Sequence, residues 1–252
     1  MNIAPFGELF KNSWELYKKK AATLAVLFTV PFIVSVLATI VAGRQVSTTS
    51  PGFVGGISPF GGAAVGGTAL AFGVIVFIVS LWIQVASVEA IDSGEERPNV
   101  SDLLSKSWPL ILTYLLVAIL AGLAILGGFI LLIIPGFIFA VWFSFSTFTL
   151  VLENKRGVEA LKASKALVAG RFGAVFGRFF LLVLSLIGIS IVAALVLAIM
   201  PETLRQILQS ALSSYVISPL ELIFAYLLYK ELKAKGPAAA SAPVAPTPPA
   251  AS

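Results

Sequence analysis

The sequence predicts an all-α integral membrane protein, a helical bundle of six transmembrane helices with amphipathic helices at the cytoplasmic interface. Three observations predict it. Of 252 residues, 58% are hydrophobic and only 12% charged, about half the roughly 25% of an ordinary soluble domain. The charges fall in short blocks, and the uncharged runs between them are long enough to cross a hydrocarbon core of about 30 Å. Lys and Arg are also segregated: they crowd into alternate loops and are nearly missing from the others.

The first apolar run, 21–42, follows Lys18, Lys19 and Lys20. Its residues rise roughly 33 Å as a helix, enough for one crossing. The run is longer than the hydrophobic stretch of a secretory signal, and the arm before it is longer too. A retained span is therefore expected, kinked at Pro31, which a membrane helix tolerates. Gly43 to Gly67 is rich in Gly, Ser, Thr and Pro and reads as a flexible loop, with Phe53 and Phe60 placed to dip into the interface. No strand–glycine loop–helix context surrounds these glycines, so phosphate binding is rejected.

The second span is expected at 68–91, before the polar turn Asp92 to Pro98. From Trp108 to Leu152 there is no charge. That stretch is too long for one crossing and suits a tight hairpin, with spans at 109–128 and 132–152 and turn candidates at Gly127-Gly128 and Pro135-Gly136. A basic segment, Glu153 to Arg178, leads to the fifth span at 179–200. After Pro201-Glu202, the positions Leu204, Ile207, Leu208, Ala211, Leu212 and Tyr215 recur at helical spacing opposite Arg205, Gln206 and Gln209. This amphipathic helix is expected on the far surface, feeding a sixth span at 213–232. The membrane domain is thus 1–235. The Ala/Pro-rich tail 236–252 is expected to be disordered.

Six spans put both termini on one side. Lys11, Lys18, Lys19, Lys20, Arg97, Lys106, Lys155, Arg156, Lys162, Lys165, Arg171, Arg178, Lys230, Lys233 and Lys235 then share that side, leaving Arg44 and Arg205 on the other. The positive-inside rule places the crowded side, and both termini, in the cytoplasm of a cell membrane. Five or seven spans would destroy this segregation.

Three cytoplasmic segments look alike: Glu8-Leu-Phe-Lys-Asn-Ser-Trp14, Asp102-Leu-Leu-Ser-Lys-Ser-Trp108 and Glu159-Ala-Leu-Lys-Ala-Ser-Lys165. Each opens on an acid, which suits a helix N-terminus, has apolar places, and carries Ser at its sixth place. Each precedes a hairpin. Three repeats of surface helix plus hairpin are read here, against the plainer possibility that any short helix before a span uses such residues. Trp14, Tyr17 and Trp108 serve as interfacial anchors under either reading.

The segments Leu131 to Gly136, Trp142 to Glu153 and Gly157 to Arg171, with Ser13 to Lys18 and Tyr226 to Lys233, resemble a broad group of prokaryotic membrane proteins. That group is related to the membrane domain attached to some glycerophosphoryl diester phosphodiesterases. The motifs are short and mostly apolar. The resemblance implies a six-helix membrane domain and no catalytic residue, because the namesake chemistry belongs to a separate soluble barrel that needs histidine.

This chain has neither histidine nor cysteine. The commonest acid/base group, the commonest transition-metal ligand and any thiolate site are therefore missing. No catalytic residue, metal site or cofactor is expected. The net charge of +5 has no basic–aromatic face to pair it with nucleic acid, and anionic phospholipid headgroups are the expected partner, with membrane proteins a further possibility. The candidate headgroup contacts are Lys155, Arg156, Lys162, Lys165, Arg171 and Arg178. Glu221 is the unusual residue, expected well inside the sixth span, where an acid costs about 2–3 kcal/mol and should face the bundle interior or water. Gln84 and Tyr114 are its candidate partners, and Pro219 frees a backbone carbonyl nearby. Ala169, Gly173 and Gly177 form a small-residue row expected to support close helix contact. Two functions follow: a non-enzymatic protein organising lipid or partner proteins, or a small transporter or channel using Glu221.

Overall fold

A computed structural model describes residues 3–43 and 67–236, with side chains at 3–37 and 76–236. The loop around Phe53 and Phe60, Arg44 and the tail from 237 lie outside the described residues. The described chain is all helical: α1 (Phe6–Gly43), α2 (Gly67–Asp92), α3 (Val100–Ser107), α4 (Ile111–Leu131), α5 (Ile133–Phe143), α6 (Ser146–Glu153), α7 (Val158–Val168), α8 (Phe172–Leu197), α9 (Glu202–Leu212) and α10 (Ser218–Ala234). Five helical runs are long and apolar enough to cross a membrane: Phe6–Leu37, Val100–Leu131, Ile133–Glu153, Phe172–Leu197 and Glu202–Ala234. The 26-residue α2 lies outside that count, its described side chains starting only at Val76.

Several boundaries differ from the sequence reading, each for a local reason. The N-terminal amphipathic segment is no separate helix: α1 runs unbroken for 38 residues because Lys18 to Ala22 holds only residues that favour helix or tolerate it. The hairpin of the uncharged region turns not at Gly127-Gly128 but on the single extended residue Leu132, φ −162° and ψ 149°. Gly128 and Gly136 instead let the two arms meet. A Cβ on Gly128 would stand 2.9 Å from the Gly136 backbone, and one on Gly136 would enter the Phe129 ring.

The expected fourth span, 132–152, breaks into α5 and α6 at Ser144–Phe145. Ser164 of α7 fills the break: its hydroxyl donates to Trp142 O at 2.6 Å and accepts from Phe145 N at 3.1 Å. The fifth helix starts at Phe172, seven residues earlier than the expected 179. Nor does α9 form a detached surface helix. A π-helical turn, Ser213–Ile217, joins it to α10 in one run that packs on α1. Pro219 has no N–H for the carbonyl of Tyr215, and Tyr17 of α1 donates its hydroxyl there at 2.7 Å.

Burial is uneven along the bundle. Leu9, Leu103, Phe145, Phe148, Val168, Phe224 and Tyr229 form one core with the inner halves of α1 and α2. Phe148 and Tyr229 stack with centroids 5.4 Å apart. The opposite ends are bare hydrocarbon. Ile130 at the α4–α5 turn is 85% exposed and Ile199 after α8 is 90% exposed. Only 6% of the apolar window of α8 is buried. Water would not tolerate these tips, whereas lipid solvates them at no cost.

The three similar segments share one burial register. Glu8, Asp102 and Glu159 are exposed, and the next residues, Leu9, Leu103 and Ala160, are buried. The sixth-place serines, Ser13, Ser107 and Ser164, are all 0% exposed. Trp14, Trp108 and Lys165 face outward again. A chance likeness of interfacial helices has no reason to bury a polar residue at the same place three times.

Candidate functional site

Every ion pair that links distant parts of the described chain gathers at the packed end, while Tyr17 and Thr29 of α1 meet Tyr215 further along the bundle. α2 and α6 each finish on a carboxylate, Asp92 and Glu153. Acids at helix C-termini oppose the helix dipole, so they need cations. α10 supplies them through two Tyr–Lys pairs at helical spacing. Tyr226 donates its hydroxyl to Asp92 Oδ1 at 2.6 Å and Lys230 Nζ sits 3.1 Å from the same oxygen. Tyr229 donates to Glu153 Oε1 at 2.7 Å, with Lys233 Nζ at 3.2 Å from it and Lys155 Nζ at 2.9 Å from Oε2. A cleft of about 290 Å³ lies among Asp92, Leu152, Tyr229, Lys230 and Lys233.

The N-terminal arm closes the other flank. Glu231 Oε1 accepts from Ala4 N at 2.5 Å and from Lys235 Nζ at 2.7 Å. Arg178 of α8 donates Nε to Ala4 O at 2.9 Å, Nη1 to Ala174 O at 2.8 Å and Nη2 to Ile3 O at 2.5 Å. Arg171 donates to Gly236 O at 2.9 Å and Lys235 O at 3.3 Å, closing the C-terminal end of α10. Lys20 does the same after α2, donating to Ser93 O at 2.7 Å and to Glu95 O. Lys20 and Arg171 stand twelve places after Glu8 and Glu159, so the repeat extends to the cation that ties off its own hairpin. In the middle repeat that place is Tyr114.

The predicted contacts divide. Arg171 and Arg178 are engaged with carbonyls, Lys155 with Glu153, and Lys165 lies 4.1 Å over the Trp142 ring. The side chains of Arg156 and Lys162 are exposed, with no ion pair among the described residues. Glu221 does not face the interior: its side chain is exposed on the outer side of α10. Among the described residues no hydrogen bond joins it to Gln84 or Tyr114. Tyr114 instead bonds Thr147 and packs with Val117, Leu150, Ala160 and Leu161. The reason is register. Leu220, Leu222, Ile223 and Phe224 take the inward positions around Glu221.

The row Ala169, Gly173 and Gly177 makes no helix contact either. Ala169 is exposed, and a Cβ at Gly173 or Gly177 meets nothing within 4 Å. Sequence reasoning missed Asp92, Glu153, Tyr226 and Tyr229. Their signal was present as two Tyr–x–x–x–Lys spacings offset by three residues, each matched to an acid ending a helix.

The helices and their exposed apolar ends define a multi-pass α-helical membrane protein. Comparison with known proteins agrees. The chain is 30% identical over 142 residues to a UPF0259 membrane protein of Pectobacterium carotovorum subsp. carotovorum (strain PC1). The match covers 56% of this chain and 56% of the relative, so the chain spans about half the length of the curated relative it matches. No family model and no solved structure matches.

Proposed function

We propose that this protein is a non-enzymatic, six-span component of the cytoplasmic membrane. With both termini in the cytoplasm, its basic end binds anionic phospholipid headgroups and thereby organises lipid or partner membrane proteins. α2 is the sixth crossing in this reading, and α3 and α7 lie at the interface. The kinship with the membrane domain of glycerophosphoryl diester phosphodiesterases belongs to the same reading and rests on the segments quoted above.

One observation carries it: the ion pairs between distant helices and the densest burial coincide at one end of the bundle, the end to which this topology assigns fifteen of the seventeen Lys and Arg residues. A protein that acts at one headgroup layer needs rigid structure there and only lipid-solvated helices beyond it. Transport needs polar groups through the membrane thickness. Glu221, on the outer side of α10, lines neither described cleft and lends that alternative no support.

The test is purification in native-lipid particles followed by identification of what is bound. Enrichment of anionic over zwitterionic phospholipid is expected. A stoichiometric small solute with no lipid preference refutes the reading. Because the chain has no cysteine, single replacements report topology directly. Lys162→Cys should react with an impermeant thiol reagent only from the cytoplasmic side, and Arg205→Cys only from the opposite side.

A further inference from the structure

The geometry points to one specific lipid site within that basic end: the cleft of about 610 Å³ between the N-terminal arm and the start of α8 binds the headgroup phosphate of an anionic phospholipid. This rests on the reading that the basic end lies at the cytoplasmic headgroups, and narrows it from a charged face to a built pocket.

The charge of the cleft comes first. Arg171 and Arg178 both line it. Their hydrogen bonds run to backbone carbonyls, and among the described residues neither pairs with a carboxylate. Carbonyls orient a guanidinium but do not cancel its charge. Glu231, the acid that holds the arm through Ala4 N, is itself paired with Lys235 at 2.7 Å. Among the described residues, two fixed cations thus share a pocket with no carboxylate paired to either, and Arg171 retains N–H donors beyond those already used, with one left on Arg178.

The floor fits an anion as well. The cleft runs over Phe172, Gly173 and Ala174 in the first turn of α8, whose first intrahelical bond from this end is Val175 N to Arg171 O at 3.0 Å. The preceding N–H groups therefore have no helical acceptor. Gly173 has open space where a Cβ would be, so a phosphate can reach the backbone.

The third observation selects a lipid over a soluble phosphate. Phe172, at the cleft, starts a ladder with Phe176 and Phe180, their rings stacked at 5.9 and 6.0 Å between successive centroids. Phe176 is 38% and Phe180 56% exposed. The ladder descends α8 from the pocket toward the bare apolar half of the helix. Beside it, Gly173 and Gly177 leave the helix surface flat and uncovered. A phosphate in the cleft with an acyl chain along this ladder matches polar to polar and apolar to apolar. It also gives the small-residue row a use, as a bed for lipid.

The experiment uses the full chain in phosphatidylcholine nanodiscs containing graded phosphatidylglycerol, with retained lipid counted by native mass spectrometry. The informative variant is Gly173→Glu. It adds an acid in the first turn of α8, where the helix tolerates it and no atom obstructs a Cβ, and it spares both arginines. Retained phosphatidylglycerol is expected to fall about fivefold, the effect of cancelling roughly one headgroup-level charge, with thermal stability unchanged. Ser101→Glu, which adds the same single charge in the first turn of α3 and outside the cleft, should leave retention within about twofold. Phe176→Ala should lower it without any change of charge. Equal losses for Gly173→Glu and Ser101→Glu overturn the pocket while leaving the broader basic-face reading intact. Absence of any phosphatidylglycerol preference in the unaltered chain overturns both. Displacement of the lipid by millimolar inorganic phosphate overturns the assignment of a lipid as occupant.

Discussion

The buried serines make the sharpest test of the packing because three chemically identical substitutions should have unequal effects. Ser164→Ala removes a hydroxyl that donates to Trp142 O at 2.6 Å and accepts from Phe145 N at 3.1 Å. Both partners sit at the α5–α6 break, where Phe145 N makes no other hydrogen bond in the described chain. A buried backbone group left unsatisfied costs about 1–3 kcal/mol. Interhelical hydrogen bonds in membranes average only about 0.6 kcal/mol in double-mutant cycles, because the unfolded state also finds partners. Two groups at a fixed break raise the total, and about 2 kcal/mol is the expected loss.

Ser13→Ala removes only a 2.6 Å bond to Leu9 O, a carbonyl that already receives a helical N–H, so the loss should stay below about 0.5 kcal/mol. Ser107→Ala should fall between, because Ser107 also donates to Glu89 Oε2 at 3.2 Å. Reversible unfolding in mixed detergent micelles, followed by tryptophan fluorescence, gives the three values. An order with Ser13 equal to or above Ser164 refutes the assignment of the α5–α6 stitch to Ser164.

Four further outcomes follow from the same contacts. Gly128→Ala should destabilise the α4–α5 hairpin by about 1–3 kcal/mol through overpacking, while Gly127→Ala, with open space at its Cβ, should be neutral or stabilising; the two are compared by the same unfolding titration. Tyr17→Phe removes the hydroxyl that serves the Tyr215 carbonyl in place of Pro219, and should cost about 0.5–1.5 kcal/mol, read as a shift of the unfolding midpoint. Glu153→Gln should cost more than Asp92→Asn, because Glu153 is 15% exposed and holds two lysines and a tyrosine, whereas Asp92 is 37% exposed and holds one lysine and a tyrosine. Raising salt to about 1 M should lower the cost of Asp92→Asn more than that of Glu153→Gln, the more shielded group, and so widen the difference, when the two variants are unfolded at both ionic strengths.

The helices were legible from the sequence because lipid imposes one simple demand, an uncharged run long enough to cross. The helix phase was not. Glu221 illustrates the difference. Its depth follows from counting back along α10 from Lys230, but which side it faces depends on which neighbours win the interior. Leu222, Ile223 and Phe224 win because the core that includes Tyr229 and Phe148 offers them contact, and a carboxylate offers it nothing. A rule that intramembrane acids face inward assumes that the interior has a polar partner to give. Here the partners that exist, Tyr226, Tyr229, Lys230 and Lys233, are taken by Asp92 and Glu153.

The serine repeat was legible as spacing and illegible as energetics. An acid followed five places on by Ser reads the same in three places, yet Ser13 meets only a helical carbonyl, Ser107 a helical carbonyl with a carboxylate beside it, and Ser164 a break in the chain. The common register fixes where each short helix docks against its hairpin, and the differing partners show how far the units have diverged. The first of the three segments lies within α1, whereas the second and third largely coincide with the short helices α3 and α7. The third also spends Arg171 on the end of α10, at the place where the first spends Lys20 on the loop after α2. A lysine ammonium suits a single turn of carbonyls, whereas a guanidinium can hold carbonyls and still present N–H groups outward. Arg178 follows seven residues after Arg171, two turns along the same face of α8, and so both guanidinium groups reach the one cleft where the proposed anion would settle.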